Sequence, residues 1–141
     1  MSAPEVTEAL IKAIEEDSFD VIIVNYANTD MVGHTGSLEA AMKACEVVDE
    51  CAGKLVDAVV EKGGVAIVTA DHGNCERMIE LTTGELHTYH TTNPVALFLI
   101  GEGYYVPAPR GRLADIAPTI LDLLGLDVPD EMTGRSLVAA W

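Results

Sequence analysis

The apolar positions near the start of the chain recur at helical spacing. Between Val6 and Ile14 they fall on one face of a helix. Ser2, with Glu5 three residues later, predicts a capping box at the helix start. We therefore expect a first helix that ends at about Glu16.

A second helical pattern is much longer. Ser37 is the predicted N-cap, and apolar residues keep helical spacing after it until Gly63 and Gly64 end the helix. This predicts a helix of about seven turns. Cys45 falls among its apolar positions and is predicted to be a small buried side chain.

Three short apolar runs predict buried strands, at residues 20–26, 65–70 and 95–100. The first, "DVIIVNY", is apolar on both faces, which is typical of a parallel sheet covered by helices. Residues 20–70 then form a strand, helix, strand unit with a right-handed crossover. A last helix is predicted from about Ala114 to Leu124. Together these elements indicate an α/β fold, a three-layer α/β/α arrangement with a mostly parallel sheet.

Composition narrows the class of protein. In 141 residues there is no apolar run approaching the ~20 residues of a membrane span. The start of the chain lacks a secretory signal, and three cysteines cannot all pair, so a reducing cytoplasm fits best. With 23 acidic and 8 basic residues, the net charge of −15 disfavours nucleic acid and anionic membranes, and the sequence shows no basic cluster.

Polar residues cluster at the ends of the predicted strands. In a parallel sheet, loops that follow successive strands meet at one edge, where ligands bind in open α/β folds. The groups after the first two strands should therefore converge, and the group before the third returns to them along a polar segment. These groups are Asp30 and His34, Asp71 and His72, and His87 and His90.

Imidazole nitrogens and carboxylate oxygens together are suitable ligands for zinc or manganese. Taken singly, each of these residues also has an explanation that needs no metal. Asp30 would cap a helix or a turn, His34 and His87 would be solvated side chains, and Asp71 would hold its loop through backbone hydrogen bonds. Taken together, these residues indicate a divalent metal site, because the clustered carboxylates need a cation to offset their charge. Cys75 follows Asn74 at a predicted turn and is not expected to be a ligand.

Three ordered motifs, "NYANTDMVGHTG", "TADHGN" and "HTTNPV", resemble the carboxyl-terminal part of the cofactor-independent phosphoglycerate mutases. These enzymes are members of the alkaline phosphatase superfamily. The resemblance continues through "ADIAPTILDLLGL" and "MTGRSL". It implies an alkaline phosphatase-like fold that is incomplete here, with residues 1–141 as a single partial domain.

The resemblance also implies a site with two manganese ions that interconverts 3-phosphoglycerate and 2-phosphoglycerate through a phosphoserine. Zinc or cobalt are possible substitutes for manganese. Carried over by position, Asp30, His34 and His90 resemble the ligands of one ion, and Asp71 and His72 those of the other. His87 has no ligand role in that pattern.

The nucleophilic serine of the family has no counterpart among the four serines, Ser2, Ser18, Ser37 and Ser136. We therefore expect the chain alone to be inactive, and to self-associate through an exposed sheet edge or apolar face. Two alternatives remain open from the sequence. One is another phosphomutase or phosphatase of the superfamily, and the other is a non-catalytic metal-binding module.

Overall fold

A computed structural model describes residues 2–103 and 107–138 of the chain. None of the helices in these two segments is long and apolar enough to cross a membrane. The α/β class is confirmed. In chain order the elements are α1 (Ala3–Glu15), α2 (Asn28–Gly33), α3 (Leu38–Glu61), β1 (Val65–Thr69), β2 (Leu97–Gly101), a short 3-10 helix (Leu113–Asp115) and α4 (Ile116–Leu123).

Helix α1 ends one residue before the predicted Glu16, so the predicted helix is confirmed. Its predicted capping box is wrong, because the Ser2 side chain makes no capping hydrogen bond. The helix is held to the following segment by a buried residue in its first turns. The Thr7 hydroxyl donates to the Ala3 carbonyl at 2.7 Å and lies 2.6 Å from the Tyr26 hydroxyl.

Helix α3 begins as predicted, with the Ser37 hydroxyl accepting the Ala40 amide at 3.3 Å. It packs against α1 and α2, and its buried residues are all small: Ala41, Ala44 and Cys51. The prediction for Cys45 is wrong, because this side chain is exposed. Alanine lets neighbouring helices approach closely, and Cys45 lies one position further around the helix, about 100° away from Ala44.

The strand pairing differs from the prediction. Strands β1 and β2 form an antiparallel ladder, from Val65 opposite Gly101 to Thr69 opposite Leu97. Residues 20–26 are without regular structure, so neither the predicted first strand nor the strand, helix, strand unit is formed within the described chain. A strand requires a hydrogen-bonding neighbour, and residues 20–26 have none among the described elements.

Antiparallel pairing determines where the polar residues meet. The last residue of β1, Thr69, lies opposite the first residue of β2, Leu97. The segment after β1 and the segment before β2 therefore share one end of the ladder. Residues 71–76 thus lie beside residues 87–93 without the long polar connection that the predicted parallel sheet would require.

One face of β2 is exposed. Phe98 and Ile100 have exposed fractions of 55% and 36%, whereas Leu97 and Leu99, which alternate with them along the strand, are partly buried. An apolar face of this kind is a favourable surface for association. Self-association of the chain stays a prediction.

The last part of the described chain is organised around α4. Pro118 lies in the first turn of this helix, as the sequence requires. Thr119 is buried, and its hydroxyl donates to the Asp115 carbonyl at 2.6 Å while accepting the Leu137 amide at 2.9 Å. These bonds hold the segment around Leu137 against the helix.

Candidate metal centre

Asp30 and His34 lie on one face of a short helix, not in the loop that the sequence indicated. Helix α2 spans Asn28–Gly33, and His34 caps its end. Residues four apart on a helix face the same direction. As a result His34 Nε2 lies 3.2 Å from Asp30 Oδ1.

His90 completes a cluster with these two residues. Its Nε2 atom lies 3.0 Å from Asp30 Oδ1 and 3.2 Å from His34 Nε2. Ligand atoms ~2.1 Å from one cation are separated by roughly 3.0 Å in octahedral and 3.4 Å in tetrahedral geometry. The donor triangle therefore fits a divalent cation. We call Asp30, His34 and His90 the metal centre.

A backbone carbonyl determines the tautomer of His34. His34 Nδ1 lies 2.7 Å from the Thr88 carbonyl oxygen, and because a carbonyl only accepts, Nδ1 must carry the proton. In the neutral ring, Nε2 is then a lone pair directed at the Asp30 carboxylate. Two acceptors that face each other across 3.2 Å repel unless a proton or a cation lies between them.

Asn74 holds the carboxylate of Asp30 from the other side. Its Nδ2 donates to Asp30 Oδ1 at 2.8 Å. The two residues approach because Gly33 has no side chain: a Cβ there would lie 2.9 Å from both Asn74 Cγ and Cys75 Sγ. The Cys75 thiol donates to the Thr29 carbonyl, and burial raises its pKa, so it remains a protonated thiol and a poor ligand.

The surroundings of Asp30 favour its charged form. Burial alone would raise its pKa, but the hydrogen bond from Asn74 and the neighbouring rings of His34, His90 and His72 together lower that pKa below its ordinary value. The carboxylate therefore stays ionised over the whole neutral range.

His72 and Asp71 lie beside the metal centre without forming a second complete one. The His72 ring stacks on His90 at 3.7 Å between centroids, and its Nε2 is 3.9 Å from Asp30 Oδ1. The Asp71 side chain is 73% exposed, with its Oδ1 3.7 Å from His72 Nε2. Within residues 2–103 and 107–138, only the Asp30, His34 and His90 group brings three ligand atoms together.

His87 lies apart from the metal centre. Its backbone amide donates to the Met78 carbonyl at 3.0 Å, and its ring meets the edge of Tyr89 at 6.1 Å between centroids. It is not a member of the Asp30, His34 and His90 group.

Glu76 joins the two segments that carry the histidines. Its carboxylate accepts hydrogen bonds from the Thr91 hydroxyl and from Asn93 Nδ2, the latter at 2.9 Å. The Thr91 amide donates to the Gly73 carbonyl at 2.9 Å. A Cβ at Gly73 would overlap both Thr91 and Glu76. Gly73 is therefore needed for close packing, and its φ is not positive.

The sequence alone did not identify Asn74, Glu76 or Asn93 as part of the site. Asn74 and Glu76 follow the "DH" pair within four residues, which is the only sequence signal for them. Their partners, Asp30 and Asn93, are 44 and 17 residues away along the chain. Which polar residues near the "DH" pair hydrogen-bond to the rest of the site is therefore visible only in the folded structure.

Replacing Glu76 with alanine is expected to weaken divalent metal binding by about 10-fold, the usual effect of removing a residue that supports a ligand. The reason is that Thr91 and Asn93 lose their shared acceptor, which frees the segment that carries His90. Glu76→Gln, which keeps an acceptor oxygen, should retain most of the affinity. Glu85→Ala removes an equal charge from an exposed position and serves as the control. Calorimetric titration with Mn²⁺ checks this, and unchanged affinity in Glu76→Ala would contradict it.

Comparison with known proteins gives the family of the chain. A family model described as the metalloenzyme superfamily matches residues 1–128. The chain is 59% identical over 140 residues to the 2,3-bisphosphoglycerate-independent phosphoglycerate mutase of Cereibacter sphaeroides, covering 99% of this chain and 28% of that protein. It is 55% identical over 138 residues to a mutase of the same name, numbered 2, from Methanosarcina barkeri, covering 98% of this chain and 26% of the relative.

A solved structure shows the same fold. Phosphoglycerate mutase of Leishmania mexicana, crystallised at low cobalt concentration, superposes with a TM-score of 0.89 at 35% sequence identity. The match covers 100% of this chain and 29% of that one. The chain thus spans little more than a quarter of the length of the relatives it matches.

Proposed function

Because the chain belongs to the metalloenzyme superfamily, we propose that it is the metal-binding segment of a phosphoglycerate mutase. The complete enzyme would interconvert 3-phosphoglycerate and 2-phosphoglycerate in glycolysis and gluconeogenesis, in the cytoplasm. The observation that carries the proposal is the donor triangle of the metal centre, whose atoms lie 3.0 to 3.2 Å apart. Residues 1–141 would form part of one phosphatase domain.

In this proposal Asp30, His34 and His90 hold one manganese ion, and Asp71 and His72 contribute to a second. Zinc or cobalt would be suitable substitutes, because imidazole and carboxylate ligands bind all three metals. When bound, the ions offset phosphoryl charge and activate a serine oxygen.

The protein residues prepare this chemistry by holding ligand atoms in place. The Thr88 carbonyl keeps the lone pair of His34 directed inward. Asn74 keeps the carboxylate of Asp30 oriented between the two imidazoles. A centre already organised in this way loses little conformational entropy when the cation binds.

Two of the four serines make hydrogen bonds away from the metal centre, which supports the view that this chain supplies metal ligands and not the nucleophile. The Ser37 hydroxyl caps α3, and the Ser136 hydroxyl is 2.5 Å from Asp122. Neither contacts the metal centre. The nucleophile of the proposed reaction would therefore come from another part of the complete enzyme.

We predict that the purified chain binds Mn²⁺ but does not convert 3-phosphoglycerate. Binding would be measured by electron paramagnetic resonance and conversion by phosphorus NMR, with a full-length relative assayed in parallel as the positive control. Metal binding without turnover supports the proposal. Turnover by the chain that disappears in His90→Ala would show that the nucleophile is present here, and absence of metal binding would overturn the proposed function itself.

A further inference from the structure

Three of the four arginines of the chain line one cavity of about 340 Å³. They are Arg110, Arg112 and Arg135, and Thr133 lies beside them. The expectation from the sequence that no basic cluster exists is therefore wrong. Arg135 is more than 20 residues from the other two along the chain, so only the fold brings it to them.

A buried carboxylate holds this cluster together. Asp115 has an exposed fraction of 3% and accepts the backbone amides of Arg112 at 2.7 Å and Arg135 at 3.0 Å. These two hydrogen bonds lower the pKa of Asp115. One carboxylate thus binds two backbone segments, and places the two arginines side by side on the cavity wall.

Two of these arginines have no acidic partner among the described residues. Most other basic side chains do: the pairs are Lys12 with Glu16, Lys43 with Glu46, Lys54 with Glu50, Arg77 with Glu80 and Arg112 with Asp115. Lys62 donates to the Glu15 carbonyl. The guanidinium groups of Arg110 and Arg135 take part in no hydrogen bond or ion pair within residues 2–103 and 107–138.

This lack of partners is informative because the chain has 23 acidic residues and only 8 basic ones. The one carboxylate that lines the cavity, Asp115, is buried and already engaged by backbone amides. The cavity is therefore a locally positive site on an acidic protein. Such a site attracts a small anion from solution.

We propose that this arginine cavity binds the phosphate group of a phosphorylated small molecule. The planar guanidinium donates paired hydrogen bonds that match phosphate oxygens, and Arg110 and Arg135 have this capacity unused. Thr133 also lines the cavity, and its carbonyl accepts a hydrogen bond from Arg112 Nη2 at 3.1 Å. The cavity shares no residue with the metal centre, so the proposed anion site is distinct from the proposed cation site.

The test uses the full chain freed of metal with EDTA, so that phosphate cannot bind through a cation. Inorganic phosphate and glycerol 3-phosphate are titrated separately while amide chemical shifts are followed by NMR. We expect saturable shifts at Arg112 and Arg135. Arg110→Gln and Arg135→Gln should each weaken binding roughly 10-fold, the effect of losing about 1.4 kcal/mol. Tighter binding of the ester would mean that its organic part also occupies the cavity, and equal binding would assign recognition to phosphate alone.

Two control variants make the result specific. Lys43→Gln removes the same charge at an exposed helix position, and His90→Ala removes an imidazole of the metal centre. Both should bind phosphate like the unaltered chain. The proposal is overturned if no saturable binding occurs, if Lys43→Gln weakens binding as much as Arg135→Gln, or if His90→Ala abolishes it. Because the Arg110 side chain has no described partner, Arg110→Gln should leave the melting temperature unchanged, which separates loss of binding from unfolding.

Discussion

Replacing Asp30 with asparagine is expected to lower the affinity of the chain for Mn²⁺ by more than ~100-fold, since even residues that only support a ligand contribute 10- to 100-fold. Asp30 Oδ1 is the shared atom of the site, 3.0 Å from His90, 3.2 Å from His34 and 2.8 Å from the amide of Asn74. Asparagine has nearly the same shape but no charge, so the two imidazoles would lose their anionic co-ligand. Calorimetric titration at neutral pH measures the change.

The matched control is Asp49→Asn, which removes one carboxylate from an exposed position on α3. It should bind Mn²⁺ as the unaltered chain does, which separates a ligand effect from the general attraction of an acidic protein for cations. If Asp30→Asn retained full affinity, the assignment of the metal centre would be wrong.

The second large effect concerns stability. Gly134→Ala is expected to lower the free energy of unfolding by about 3 kcal/mol, as overpacking of a tightly packed position does. A Cβ at this position would lie 2.6 Å from the carbonyl carbon of Ala114 and closer still to its oxygen. Both are backbone atoms, which cannot move aside as a flexible side chain can. The segment that follows Gly134 would therefore be pushed away from the turn before α4. Urea unfolding followed by circular dichroism measures the loss.

Gly53→Ala provides the opposite control. Gly53 lies in the middle of α3, and a Cβ there would meet nothing within 4 Å. Alanine should stabilise the helix by about 0.5–1 kcal/mol, because it restricts the unfolded chain more than glycine does. If both variants were destabilised equally, the close approach of Gly134 to Ala114 would not be the cause.

Helices α1 and α3 could be predicted from the sequence to within one or two residues, whereas the short helix α2 and the pairing of the strands could not. The limits of α1 and α3 depend on apolar spacing and on residues such as Ser37 and Gly63, all within a few positions of the helix ends. Residues 20–26 have the composition of a strand, but a strand also needs a neighbour that composition does not specify. The same limit explains why β1 and β2 were expected in a parallel sheet and are antiparallel.

The sequence by itself determined which residues are the candidates for metal binding. Asp30 and His34 stand four apart in one motif, and the order of the three motifs was sufficient for the resemblance that the comparisons confirm. Tertiary structure alone decided how these residues meet. The fold brings helix α2 against the segment before β2, so that His90 Nε2 lies 3.0 Å from Asp30 Oδ1 across 60 residues of chain, and the buried Asp115 holds the backbone of Arg112 beside that of Arg135. Residue type and spacing act locally, whereas distances between remote side chains depend on packing and hydrogen bonds that form only when the whole segment folds.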